Sequence, residues 1–293
     1  MADQRGRFAW YELMTTDVAA AGAFYRKAVG WSMKDESTPD MPYTVLRCDG
    51  APLGGLMDIP EEGRKSGATP RWMAYVAVDD LDGTAAQIRR LGGTIFVPPT
   101  DTNIGRIAVV ADPQNATFGL IKAPTYGRSK PGRPDEPGRV GWHELLAADR
   151  TVIFDFYREL FGWQKADAQT DSADLYQLFS AGGQTVGGVL TKVPSVAQPS
   201  WLHYFNVEDI EAATKQVNAG GGRILQGPLE LPDGCWIARC VDPQGALFAL
   251  QGARGPAGIE PSSASEVGWS AKWGGIASQG RVVLPKPDPK PKR

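Results

Sequence analysis

Apolar and polar positions along this chain change period in a fixed order, and the order repeats. Alternation over Phe8 to Met14 predicts a strand. After Thr15-Thr16-Asp17, the residues Val18, Ala21, Phe24, Tyr25 and Val29 fall at the spacing of a helix that buries one face. Asp17 stands where an N-cap accepts first-turn amides, and Gly30 where a helix stops. Three short strands are expected next, around Ser32 to Asp35, Tyr43 to Cys48 and Leu53 to Ile59, punctuated by Pro39, Pro42 and Asp49-Gly50. The unit is therefore β-α-β-β-β. From Trp72 it begins again, with a strand to Val78, a cap at Asp79-Asp80, a helix to Leu91 and a stop at Gly92-Gly93. Strands near Ile95, Ile107 to Val110 and Thr117 to Ile121 complete it.

The whole pattern then recurs. Gly6-Arg7-Phe8-Ala9-Trp10-Tyr11-Glu12-Leu13 returns as Gly138-Arg139-Val140-Gly141-Trp142-His143-Glu144-Leu145, 132 positions on. Asp17, Phe24-Tyr25-Arg26 and Gly30-Trp31 return at the same offset. Trp72, Tyr75 and Asp80 return as Trp201, Tyr204 and Asp209, and Asp112-Pro113-Gln114 as Asp242-Pro243-Gln244. These repeats predict an α+β chain of two tandem domains, 1–123 and 138–252, each a pair of modules. A linker rich in Gly, Pro and Arg (124–137) joins them, and a Pro/Gly-rich tail (253–293) ends in Lys-Pro repeats. A duplication within one chain does the work of a dimer, so a monomer is favoured over a homodimer.

Composition narrows the function class. The 293 residues are 42% hydrophobic and 22% charged with a net charge of -2, which suits soluble domains and gives no basic field for nucleic acid. No apolar run reaches membrane-spanning length, and the polar start from Met1 to Arg7 has no signal-peptide core, so a cytoplasmic location is expected. Cys48, Cys235 and Cys240 have no metal-binding spacing and are expected to be reduced. A small molecule is the expected partner.

Four β-α-β-β-β modules, the Asp-x6-Phe-Tyr-x4-Gly-Trp run found twice, and Asp-Pro-Gln ahead of each last strand resemble the vicinal oxygen chelate superfamily, also called the glyoxalase/bleomycin resistance/dioxygenase superfamily. The resemblance spans about residues 6 to 252. It implies that each half curls its sheet into a cup, on whose floor metal-using members hold a divalent ion. It also implies where the ligands would stand. Counting seven residues back from each helix-opening Asp reaches Trp10, Met73, Trp142 and Leu202. Counting seven beyond the Asp of each Asp-Pro turn reaches Gly119 and Ala249. None of these is a metal ligand. His143 and His203 offer, with Gln251 or Glu144, an alternative divalent-metal set, but each lies one residue out of register and so faces the helix side unless its strand is bulged.

The same alternation turns Trp10, Glu12, Tyr75, Trp142, Glu144, Tyr204 and Gln251 toward the cups. Trp10, Tyr75, Trp142, Tyr204 and Gln251 are thus candidate ligand-binding residues for an aromatic or hydrophobic molecule, unless the rings simply plug the cups. Glu12 and Glu144 are candidate catalytic acids, since burial there favours proton transfer. The leading expectation is metal-independent binding of a small hydrophobic or aromatic molecule, without a cofactor. The alternatives are a glyoxalase-like lyase or dioxygenase using a divalent metal, a metal-free acid/base enzyme using Glu144, and an interaction protein that docks through its tail.

Overall fold

In the computed structural model, residues 6–39, 41–122, 124–126, 135–166, 176–193 and 196–255 are described. The Lys-Pro end of the expected tail and most of the linker lie outside them. The first half runs β1 (Phe8–Thr15), α1 (Val18–Ala28), β2 (Ser32–Asp35), β3 (Thr44–Cys48) and β4 (Ala51–Asp58). It continues through a short helix α2 (Glu61–Lys65) into β5 (Arg71–Ala77), α3 (Leu81–Arg90), β6 (Thr94–Thr102), β7 (Gly105–Ala111) and β8 (Thr117–Lys122). The second half repeats this as β9 (Val140–Ala147), α4 (Arg150–Phe161), β10 (Gln164–Ala166), β11 (Tyr176–Ala181) and β12 (Gln184–Thr191). Its second module is β13 (Ser200–Asp209), α5 (Ile210–Ala219), β14 (Arg223–Glu230), β15 (Trp236–Val241) and β16 (Leu247–Ala253). Helix α2 escaped the sequence pattern because it buries no residue. Strand β16 runs one residue into the segment expected as tail.

Each long helix opens on an Asp whose carboxylate accepts a first-turn amide. Asp17 takes Ala20 N at 2.9 Å, Asp80 takes Gly83 N at 3.0 Å, Asp149 takes Thr151 N at 2.8 Å and Asp209 takes Glu211 N at 2.9 Å. Helix α4 ends on Gly162 with φ 69°, a left-handed cap that a side chain would strain. The strands of each half form one eight-stranded sheet, ordered β2-β3-β4-β1-β5-β8-β7-β6 and β10-β11-β12-β9-β13-β16-β15-β14. The two modules of a half meet at its centre, where β1 runs antiparallel to β5 and β9 to β13. Pro98 and Pro99 lie in β6, an outermost strand, where a missing amide breaks no ladder.

Both faces of the central strands are buried, for different reasons. The helices lie between the two sheets, α1 against α5 and α3 against α4. Apolar residues of both halves fuse there into two cores, one around Tyr25, Trp31, Phe205 and Phe248, the other around Phe118, Tyr157, Trp163 and Phe179. The opposite faces are the cups, each with its own smaller core. No helix among the described residues is long and apolar enough to cross a membrane.

The repeated motifs turn out to be the ties between the halves, and they work reciprocally. Tyr25 donates to Asp242 Oδ2 (3.0 Å) and accepts Trp72 Nε1 (2.8 Å). Tyr157 donates to Asp112 Oδ2 (2.9 Å) and accepts Trp201 Nε1 (3.2 Å). Trp31 Nε1 donates to Gly138 O at 2.7 Å, and Trp163 Nε1 to Gly6 O at 2.6 Å. Burial raises the Asp112 and Asp242 carboxyls above their ordinary range against these hydrogen bonds. Removing one hydroxyl leaves a buried indole donor and a carboxylate oxygen short of a partner. Tyr157→Phe is therefore expected to cost about 1–3 kcal/mol in urea unfolding of the whole chain. A loss below about 0.5 kcal/mol, within the usual range of a neutral surface change, would show that the tie does not hold the halves.

Candidate functional site

His143 and His203 lie on the helix side of β9 and β13, directly opposite each other in the ladder, with ring centres 5.6 Å apart. His143 Nδ1 lies 2.9 Å from Val186 O, so it carries the proton, and Nε2 accepts from the Tyr11 hydroxyl at 2.7 Å. Phe8 stacks on its ring at 3.8 Å. Burial lowers the His143 pKa to about 4. His203 is pushed well below its ordinary value by burial and by His143, and neither of its nitrogens has a partner among the described residues. Gln251 sits on the other sheet face beside Asn206. The three residues of the alternative metal set are not brought together.

In the first cup the candidate side chains are bonded to one another. Glu12 Oε1 accepts from Tyr43 (2.8 Å) and Oε2 from Tyr75 (2.7 Å), while Trp10 Nε1 donates to the Tyr43 hydroxyl (3.0 Å). Trp10, Tyr43 and Tyr75 are all at most 3% exposed, and Tyr126 stacks over Trp10. Burial raises the Glu12 carboxyl, with both tyrosines pulling the other way. Burial also pushes the two phenols well above their ordinary value, as does the facing Glu12. Every oxygen of this candidate acid is engaged.

The second cup departs from the repeat. Trp142 again donates to a tyrosine, Tyr176, at 2.9 Å, and both are buried. Glu144 instead meets Arg239, whose Nη2 lies 2.6 Å from Oε2. Tyr204 donates to the same oxygen at 3.2 Å and accepts Arg239 Nε at 3.3 Å. Burial opposes the Arg239 charge and the Glu144 carboxylate outweighs it, leaving the guanidinium protonated. Glu144 Oε1 is buried without a partner among the described residues. Arg239 is not among the candidates that alternation gives. It was legible as a charge inside the apolar run of β15, at the place where β7 has Val109.

A groove of about 440 Å³ opens at one end of this second cup. It is lined by Asn206, Val207 and Glu208 of β13, Gln251 to Ala253 of β16, the β14–β15 turn at Asp233 to Cys235, and Asp135 and Pro137 ahead of β9. Of the candidate ligand-binding residues Gln251 lines it. Trp10, Tyr75, Trp142 and Tyr204 do not; they face the cups and are buried there. The floor is an amide pair in which Gln251 Nε2 donates to Asn206 Oδ1 at 2.6 Å. Alternation puts Asn206 on the cup face with Tyr204, but the groove itself is made by segments distant in the chain.

The positions at which the superfamily holds its metal do not fit one here. Trp10, Met73, Trp142, Leu202 and Ala249 pack into the cup cores, and a side chain at Gly119 would meet the Tyr75 ring at 2.1 Å. Glu12 is held by two tyrosines, and Glu144 is paired with the cation Arg239. Among the described residues no three His, Cys, Asp or Glu gather as a metal-binding group. The three cysteines are free thiols.

A model of the Glyoxalase/Bleomycin resistance protein/Dioxygenase superfamily matches residues 7–120 and 139–250. A Mycobacterium tuberculosis protein named "Putative glyoxylase CFP32" is 29% identical over 82% of this chain and 92% of its own length. The anthracycline biosynthesis protein DauV of Streptomyces sp. is 30% identical over 84% and 92%. Among solved structures, an extradiol ring-cleaving dioxygenase from B. fuscum superposes with TM-score 0.60 at 18% identity, covering 90% of this chain and 76% of that one. The Mn(II)-bound glyoxalase of Novosphingobium aromaticivorans gives 0.58 at 15%, covering 85% and 82%. At these identities the structures speak for the fold alone.

Proposed function

Because the chain belongs to the glyoxalase/bleomycin resistance protein/dioxygenase superfamily, whose members differ in chemistry on one fold, we propose a function from the site itself: metal-independent binding of a small, largely apolar or aromatic molecule in the second half. The observation that carries this reading is the groove of about 440 Å³ with Asn206 and Gln251 on its floor, a volume in the range of small-molecule sites. In this reading the ligand sits at the end of β13 and β16 rather than against the buried Trp142 and Tyr204. The relatives' names agree with small organic substrates or ligands. Val207, Pro137 and Ala253 add apolar lining.

The test is titration of chelator-treated full-length protein with a panel of aromatic compounds, read by tryptophan fluorescence. Saturable binding that chelator leaves unchanged is expected, weakened about tenfold in Gln251→Leu, the size of one lost hydrogen bond to a well-placed group. Binding that appears only after Mn, Zn, Ni or Fe is supplied, or that no compound shows, would end the proposal. A second reading, proton transfer by Glu144, is favoured by its buried, unpartnered Oε1. It requires deuterium uptake from solvent into a bound ligand that Glu144→Gln abolishes; no uptake in the parent protein rules it out.

A further inference from the structure

The lining of the groove is one-sided in its chemistry. Asp135, Glu208 and Asp233 bring three carboxylates, and among the described residues no Lys or Arg lines it. Glu208 and Asp233 are exposed at its rim. Arg254, just beyond the lining residue Ala253, is turned to Glu211 at 2.6 Å and lies over the Trp236 ring.

Gln251, a lining residue, also keeps an acceptor without a partner among the described residues. Asn206 Nδ2 donates to Glu136 O at 3.0 Å, so its Oδ1 must be the atom facing Gln251, and Gln251 must turn its NH2 toward Asn206. That fixes Gln251 Oε1 as the remaining atom. Gln251 is 3% exposed, and Oε1 is buried with no partner among the described residues. An unpaired buried acceptor is a standing cost that a donor from a ligand would remove.

We infer that the groove selects a cationic donor: an ammonium group carried on a small aromatic or apolar body, its N–H donated to Gln251 Oε1 and its charge facing Glu208 and Asp233. The inference rests on the reading that this groove is the binding site and adds the class of ligand. A negative rim with an apolar wall favours such an amphipathic cation over a neutral or anionic molecule of the same shape, by attraction at the rim and by hydrogen bonding at the floor.

The experiment uses the full chain and three probes of one shape: 2-naphthylmethylamine, 2-naphthylmethanol and 2-naphthoate, titrated at pH 7 by calorimetry. The amine is expected to bind at least about tenfold more tightly than the alcohol, the carboxylate not measurably, and the amine's affinity to fall with added salt. Glu208→Gln/Asp233→Asn, at exposed positions, is expected to bring the amine's affinity down to that of the alcohol. Gln251→Leu is expected to weaken the amine. If the alcohol binds as tightly as the amine and the rim variant changes neither, the cation inference is overturned while small-molecule binding stands. If no probe binds, both are overturned. Amine binding that neither variant alters places the amine elsewhere and also overturns the inference.

Discussion

Replacing Arg239 by methionine is expected to cost about 3–5 kcal/mol of folding stability, and replacing Glu144 by methionine in the same chain to return most of it. The guanidinium is 2.6 Å from a carboxylate with no solvent exposure, and Tyr204 also donates to that oxygen. Without Arg239 the protein must either keep an unpaired charge in an apolar cup or protonate it, and both are unfavourable. With both groups gone, the cup holds methionines among Leu178, Leu202 and Ile237, surroundings that suit them. Urea unfolding of the single and double variants measures the difference. A single variant within about 1 kcal/mol of the parent, the scale of a solvent-screened pair, would mean that water reaches Glu144. The cup would then be open.

Acid should weaken the fold through the histidine pair. Both imidazoles are buried and neutral, with His143 at about 4, whereas in the unfolded chain they titrate near 6.5. Between those values the unfolded state binds more protons, so their contribution is complete above pH 6.5 and is lost as pH falls toward 4. For His143 alone the gap corresponds to about 3 kcal/mol, and His203 acts in the same direction. The raised carboxyls Glu12, Asp112 and Asp242 act oppositely, since the folded state takes up their protons first. The histidine part therefore shows best by difference. A His143→Gln/His203→Leu variant should lose less stability than the parent between pH 7 and pH 4, by about 3 kcal/mol or more. Parallel profiles would mean that the parent's imidazoles are already reached by water.

Most of the fold was legible because each element carries its own period. Phe24, Tyr25 and Val29 mark a helix face, and alternation in β1 and β9 separates Trp10, Glu12, Trp142 and Glu144 from Tyr11 and His143. The asparagine-free Asp caps and the Gly stops located the boundaries within a few residues. The site was less legible, since alternation gives the direction of a side chain and not the space in front of it. Trp10 and Trp142 face the cups, yet whether a cup is open depends on Tyr43 and Tyr176 reaching across from neighbouring strands. The groove joins residues as distant as Asp135 and Gln251, and no local period records such a meeting. Arg239 was visible only as an interruption of the repeat.

Tyr11 and His143 occupy matching places in the two halves, 132 positions apart, and are bonded to each other. Matching residues that touch must lie beside the axis relating the halves. Two separate identical subunits would bring a residue there face to face with its own twin, so donor and acceptor could not be assigned to different side chains. Carrying both halves in one polypeptide removes that restriction, and a mutation on one side of the axis need not be mirrored on the other. Arg239 opposite Glu144, where the first half has Val109, is the same freedom used far from the axis. One half is thereby released to change its chemistry while the other, with Glu12 locked between two tyrosines, keeps the geometry against which it is held.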